Sequence, residues 1–141
     1  MNPIISLWEN ETLPIKDGLY FADGRSYEAI INSTTAAGYE IANPINLDLF
    51  IEEDSECISS FDTTKIVQLP GKNGFLCCGE GSFGSEGFFA HLASNKSLLW
   101  VFYFEYSNPF VEIQLAEEGE ANFLTSNGTS LKVKIANPEL T

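Results

Sequence analysis

Leu98 to Tyr106 reads LLWVFYFEY, nine residues dominated by aromatic and β-branched types. Alternation puts Leu98, Trp100, Phe102, Phe104 and Tyr106 on one face, and Leu99, Val101, Tyr103 and Glu105 on the other. Both faces are mostly apolar, which predicts a central strand covered on both sides. Ser107-Asn108-Pro109 supplies turn chemistry, because Pro109 cannot donate a ladder hydrogen bond. Phe110 to Ala116 resumes as a strand, with Val111, Ile113 and Leu115 on one side. Glu117 to Glu120 is a charged turn. Ala121 to Thr125 and Thr129 to Ile135 then flank Ser126-Asn127-Gly128, a hairpin signal because Asn and Gly both tolerate positive φ. Leu131, Val133 and Ile135 alternate with Lys132 and Lys134, the pattern of a solvated face or an edge strand.

Gly74 to Gly79 and Glu86 to Ala93 are weaker strands on either side of a glycine-rich turn, giving a meander of about six strands. Upstream, Tyr20-Phe21, Ser26 to Asn32, Ile45 to Glu52 and Lys65 to Leu69 are further strand candidates. Ile4 to Asn10, Tyr27 to Asn32 and the region Phe61 to Val67 are alternative sites for a short helix. The predicted fold is mainly β: an antiparallel β-sandwich or strongly curved meander sheet with one or two short helices. At 141 residues, one domain over 1–141 is expected. A chain of this size buries roughly 68% of its unfolded surface, enough for a core.

Charge changes the picture more than composition does. Seven Lys+Arg stand against twenty Asp+Glu, a formal net charge of −13. Direct binding to nucleic acid or to an anionic membrane is not expected, because both need a basic surface. A basic protein partner is expected instead. The start, MNPIISLWENE, lacks the basic segment of a signal peptide, so a cytoplasmic location is expected. Cys57, Cys77 and Cys78 are an odd set that suits no disulfide framework. In a strand, Cys77 and Cys78 would point to opposite faces as small apolar residues.

Candidate chemistry is thin. Gly79-Glu80-Gly81-Ser82-Phe83-Gly84 is a literal G-x-G-x-x-G and over those six residues is similar to the phosphate loop of protein kinases. The other kinase motifs are missing, no helix start follows, and Glu80 and Glu86 would repel phosphate, so a hairpin tip is expected. Any Cys–His or Ser–His site must use His91, the one histidine, which sits in an apolar run without a nucleophile signature. Glu52-Glu53-Asp54-Ser55-Glu56 lacks the glycine of a calcium loop. No cofactor or metal, and no catalytic activity, is expected.

The acids themselves are clustered. Asp48, Glu52, Glu53, Asp54 and Glu56 run without a base, as do Glu112, Glu117, Glu118 and Glu120. The run from Asp48 to Glu56, with Leu98 to Tyr106 and Phe110 to Ile113, resembles the small acidic immunity proteins of bacterial toxin systems, including those of contact-dependent growth inhibition. The resemblance spans about a fifth of the chain and transfers no binding residue by motif. It implies a non-enzymatic inhibitor that occludes the active site of a cationic toxin domain, often a nuclease, with carboxylates in place of phosphates. The toxin-binding residues expected are Asp48, Glu52, Glu53, Asp54, Glu56, Glu117, Glu118 and Glu120. The alternative is a β-sandwich that binds carbohydrate or another small ligand, with Trp8, Trp100 or Tyr106 as stacking platforms.

Overall fold

The computed structural model describes residues 2–117 and 119–141. The chain opens with helix α1 (Pro3–Glu9), whose proline occupies the first turn, where no backbone N–H is needed. Strands β1 (Thr12–Pro14), β2 (Gly18–Phe21), β3 (Ser26–Ile31) and β4 (Tyr39–Pro44) follow, then helix α2 (Leu47–Glu53). The chain continues through β5 (Ile58–Gln68), β6 (Phe75–Gly81), β7 (Gly87–Leu92) and β8 (Leu98–Phe104). It ends with β9 (Phe110–Leu115), β10 (Glu120–Thr125) and β11 (Ser130–Lys134).

Eight strands form one antiparallel sheet in the order β1-β5-β6-β7-β8-β2-β3-β4. The meander β5 to β8 is therefore inserted between β1 and β2. Helix α2 lies in the connection that carries the chain from the β4 edge back toward β1. The other three strands form a second sheet, β11-β10-β9. The expected six-strand meander is thus two pieces. It breaks at Ser107-Asn108-Pro109, where Asn108 adopts φ 71° and Pro109 has no N–H to continue a ladder.

Three layers result. One face of the large sheet, carrying Cys78, Phe89, Trp100, Phe102 and Phe104, packs on Phe110, Ile113, Phe123, Leu131 and Val133 of the small sheet. Phe89 stacks on Phe123 with ring centroids 4.0 Å apart, joining the two sheets at their centre. The opposite face, carrying Cys77, Phe88, Ala90, Val101 and Tyr103, packs on Ile4, Trp8, Leu47, Phe50 and Ile51 of the helices. Strand β8 is bordered by β7 and β2 and covered on both faces, as its two apolar sides predict. Strand β11 is an edge strand with Lys132 and Lys134 exposed. In the β10–β11 turn Gly128 takes φ 91°.

Two local expectations are corrected. Ile45 to Glu52 contains a helix, because Asn46 caps it through the Leu49 N–H (3.1 Å), and Leu47, Phe50 and Ile51 fall on one helical face. Of the alternative helix sites, Tyr27 to Asn32 and Phe61 to Val67 are not helical: the strand expected over Ser26 to Asn32 forms as β3, and the one expected over Lys65 to Leu69 forms the end of β5.

Candidate functional site

Helix α2 turns its apolar side to the core, so its polar side must face outward. Asp48, Glu52, Glu53, Asp54 and Glu56 are all exposed, and none of them makes an ion pair among the described residues. Asp54 closes the following turn: one oxygen accepts the Glu56 N–H (3.2 Å) and the other the Cys57 thiol (2.9 Å). That hydrogen bond leads the causes that raise the Cys57 pKa, and the charges of Glu105 and Glu56 add to it. Helix α1 packs beside α2; exposed Glu9 ends it and exposed Glu11 follows. Residues 3–11 and 46–57 together carry seven acids and no base. Leu49, 47% exposed, stands among those of α2.

The second acidic group lies elsewhere. Glu117 and Glu120 belong to the β9–β10 hairpin of the small sheet, on the opposite side of the large sheet from α2. Glu120 pairs with Lys132 (3.6 Å), and Glu117 is exposed. Glu112, on β9, pairs with Lys65, whose hydrogen bond holds the carboxyl below its usual pKa. Glu118 lies outside the described residues. The structure therefore brings Asp48, Glu52, Glu53, Asp54 and Glu56 together and leaves Glu117 and Glu120 apart from them.

His91 lines a groove of about 670 Å³ with Leu69, Asn73, Leu115, Glu120 and Lys134. One ring nitrogen (Nε2) lies 2.8 Å from the Asn73 carbonyl, and the ring packs edge-on to Trp100. Burial lowers the His91 pKa, which favours the neutral ring. Cys77 points to the opposite face of the sheet from His91. Burial pushes the Cys77 thiol up to about 12 and the Cys78 thiol up to about 11, so both stay protonated and weakly nucleophilic at neutral pH.

The glycine motif answers to packing. A Cβ on Gly79 would lie 2.0 Å from the Asp62 carbonyl oxygen, and one on Gly81 would lie 2.2 Å from the Glu86 carboxylate. Glycine at these positions lets β5 and the Glu86 side chain approach β6. Glu86 is fully buried. Its carboxylate accepts hydrogen bonds from Ser59 (2.9 Å), from the Phe83 N–H (3.0 Å) and from the Tyr103 hydroxyl. In the sequence Glu86 reads as the start of a strand and as a charge against phosphate. Its place two residues before Phe88, on the face that packs inward, was the available signal.

The aromatic platforms divide. Trp100 is 3% exposed and donates its indole N–H to the Ile135 carbonyl (2.9 Å). Trp8 is half-buried and stacks on Phe61 at 4.7 Å. Tyr106 is 77% exposed and walls a cavity of about 270 Å³ that also holds Asp17, Ile30, Phe104, Asn127 and Thr129. Asp17 was not singled out from the sequence. Among the described residues no helix is long and apolar enough to cross a membrane. No protein family, curated protein or solved structure matches this chain.

Proposed function

We propose that this protein is a non-enzymatic inhibitor of the immunity type, and that its helical face captures a basic protein partner in the cytosol. The supporting observation is the block Asp48, Glu52, Glu53, Asp54 and Glu56, five exposed carboxylates on and just after one short helix, without an ion pair among the described residues. Like charges held this close repel, and a cationic surface relieves that repulsion while steering encounter. Leu49, exposed on the same helix, supplies an apolar contact. A toxin nuclease domain suits such a face, because its substrate groove is basic and carboxylates can occupy the place of phosphates. Glu120 and Glu112, already paired with lysines, have less charge to offer and lie outside the patch.

The test is charge reversal of Glu52, Glu53, Asp54 and Glu56 to Lys. The wild-type domain should pull down a basic protein from the producing strain and associate with it quickly at low salt. The reversed variant should associate at least about tenfold more slowly and lose most of the salt dependence. Identical capture kinetics for the two proteins would remove α2 from the interface.

A second reading has its own observation, the groove beside His91. Its volume and mixed lining suit a small polar ligand resting on Leu69 and Leu115. Binding of a mono- or disaccharide on a glycan array, lost in His91→Ala, supports this reading; an array without hits removes the carbohydrate form of it.

A further inference from the structure

The cavity beside Tyr106 has a composition that selects its occupant. Asp17 is the one ionisable carboxylate in its lining, and no lysine, arginine or histidine lines it. One oxygen of Asp17 accepts the Glu105 N–H at 2.7 Å, which fixes the side chain where β8 ends. No cation lies within ion-pair distance of Asp17 among the described residues. Burial raises the Asp17 pKa and the charge of Glu105 adds to the rise, outweighing the lowering by the Glu105 N–H and Lys16. The charge is thus partly stripped of water, and Lys16, the cation that acts on it, is paired with Glu28 (3.7 Å).

The walls complete the description. Tyr106 presents an open aromatic face, and Ile30, 45% exposed, offers an apolar side. Asn127 and Thr129, from the β10–β11 turn, add polar groups to the lining. A carboxylate, an aromatic ring and an aliphatic side chain around one cavity match a guanidinium on a methylene stem. The ring stacks with the planar cation and the aliphatic wall takes the stem. The cavity volume of about 270 Å³ is large enough for one such side chain and small for a folded element.

From this arrangement we infer that the Asp17–Tyr106 cavity is a socket for an arginine side chain of the basic partner. The socket rests on the reading of the protein as a binder of basic proteins, yet it is a separate contact from α2. Asn127 and Thr129 of the small sheet line the cavity, so it opens on the side of the large sheet away from α2.

Two capped tripeptides test the socket: acetyl-Gly-Arg-Gly-amide and its citrulline counterpart, which keeps the shape and removes the charge. Each is titrated to about 10 mM at physiological salt while the backbone amide resonances of the full chain are followed. The arginine peptide should shift Glu105, Tyr106 and Thr129 saturably, and the citrulline peptide should not. Asp17→Asn, which retains an oxygen for the Glu105 N–H, should weaken binding about tenfold; Tyr106→Ser, at an exposed position, should weaken it severalfold. Equal shifts from both peptides, no shifts at these amides, or shifts confined to residues 48–56 would overturn the socket. The last result leaves the α2 reading standing, whereas unchanged partner capture after reversal of Glu52 to Glu56 sinks that reading independently of the peptide data.

Discussion

Two carboxylates with different surroundings set the chemistry at the level of single residues. Asp17 has a pKa raised above its ordinary 3.8. An acid shifted this way contributes stability below its unfolded value and loses it as pH rises through the folded value. At neutral pH its charge therefore weighs against the fold. Asp17→Asn should raise the melting temperature at pH 7, and the gain should shrink to nothing below about pH 3.8, as thermal scans across pH can show. Such a residue is retained at a cost to stability, which accords with a binding role. Glu86 matters through its hydrogen bonds, as a buried side chain met by three donors. Glu86→Ala should destabilise by about 2–4 kcal/mol, because Ser59, the Phe83 N–H and Tyr103 would lose their acceptor. Gly81→Ala forces a Cβ into the same carboxylate, so the two substitutions should be strongly non-additive in urea denaturation. Additive losses would show that Gly81 is needed for some other reason.

Among the elements, α2 carries charges at its C-terminal end that oppose its own stability. Its last turn holds Glu52 and Glu53 and no base, at the helix end where the macrodipole favours cations. Glu53→Lys should therefore stabilise the fold by about 0.3–1 kcal/mol while slowing partner capture. A substitution that improved both would separate the charge from recognition. The acidity of this helix was legible along the chain, because its five acids are neighbours in sequence. Its conformation was not: the apolar residues of Ile45 to Glu52 suit a strand as readily, and the Asn46 cap and the sheet face beneath decided it. Strand β8, the β10–β11 hairpin and the lysine-bearing edge β11 were legible for the opposite reason. Their alternation and turn residues are local, and the tertiary structure agrees with them. The separation of the two acidic groups and the meeting of Asp17, Tyr106 and Asn127 depend on sheet order and on the step to a second sheet at Asn108. No spacing along the chain encodes those.

At the scale of the molecule, a net charge of −13 is carried on a fold of two cores that share one sheet. Self-repulsion of that size should make the protein salt-stabilised. Raising NaCl from about 20 mM to about 500 mM should increase the melting temperature by several degrees, and the gain should be smaller in the α2 charge-reversal variant. The eight-stranded sheet also couples the sides, since β7 and β8 give alternate side chains to each. Cys77 and Cys78 mark this division, with one thiol sealed beneath the helices and the next beneath the small sheet. Adjacent in the chain and opposite in space, they act as paired tell-tales: an alkylating reagent that reaches Cys77 first reports the helices lifting away, and one that reaches Cys78 first reports the small sheet peeling off. The order in which this protein comes apart can be read from two neighbouring sulfur atoms.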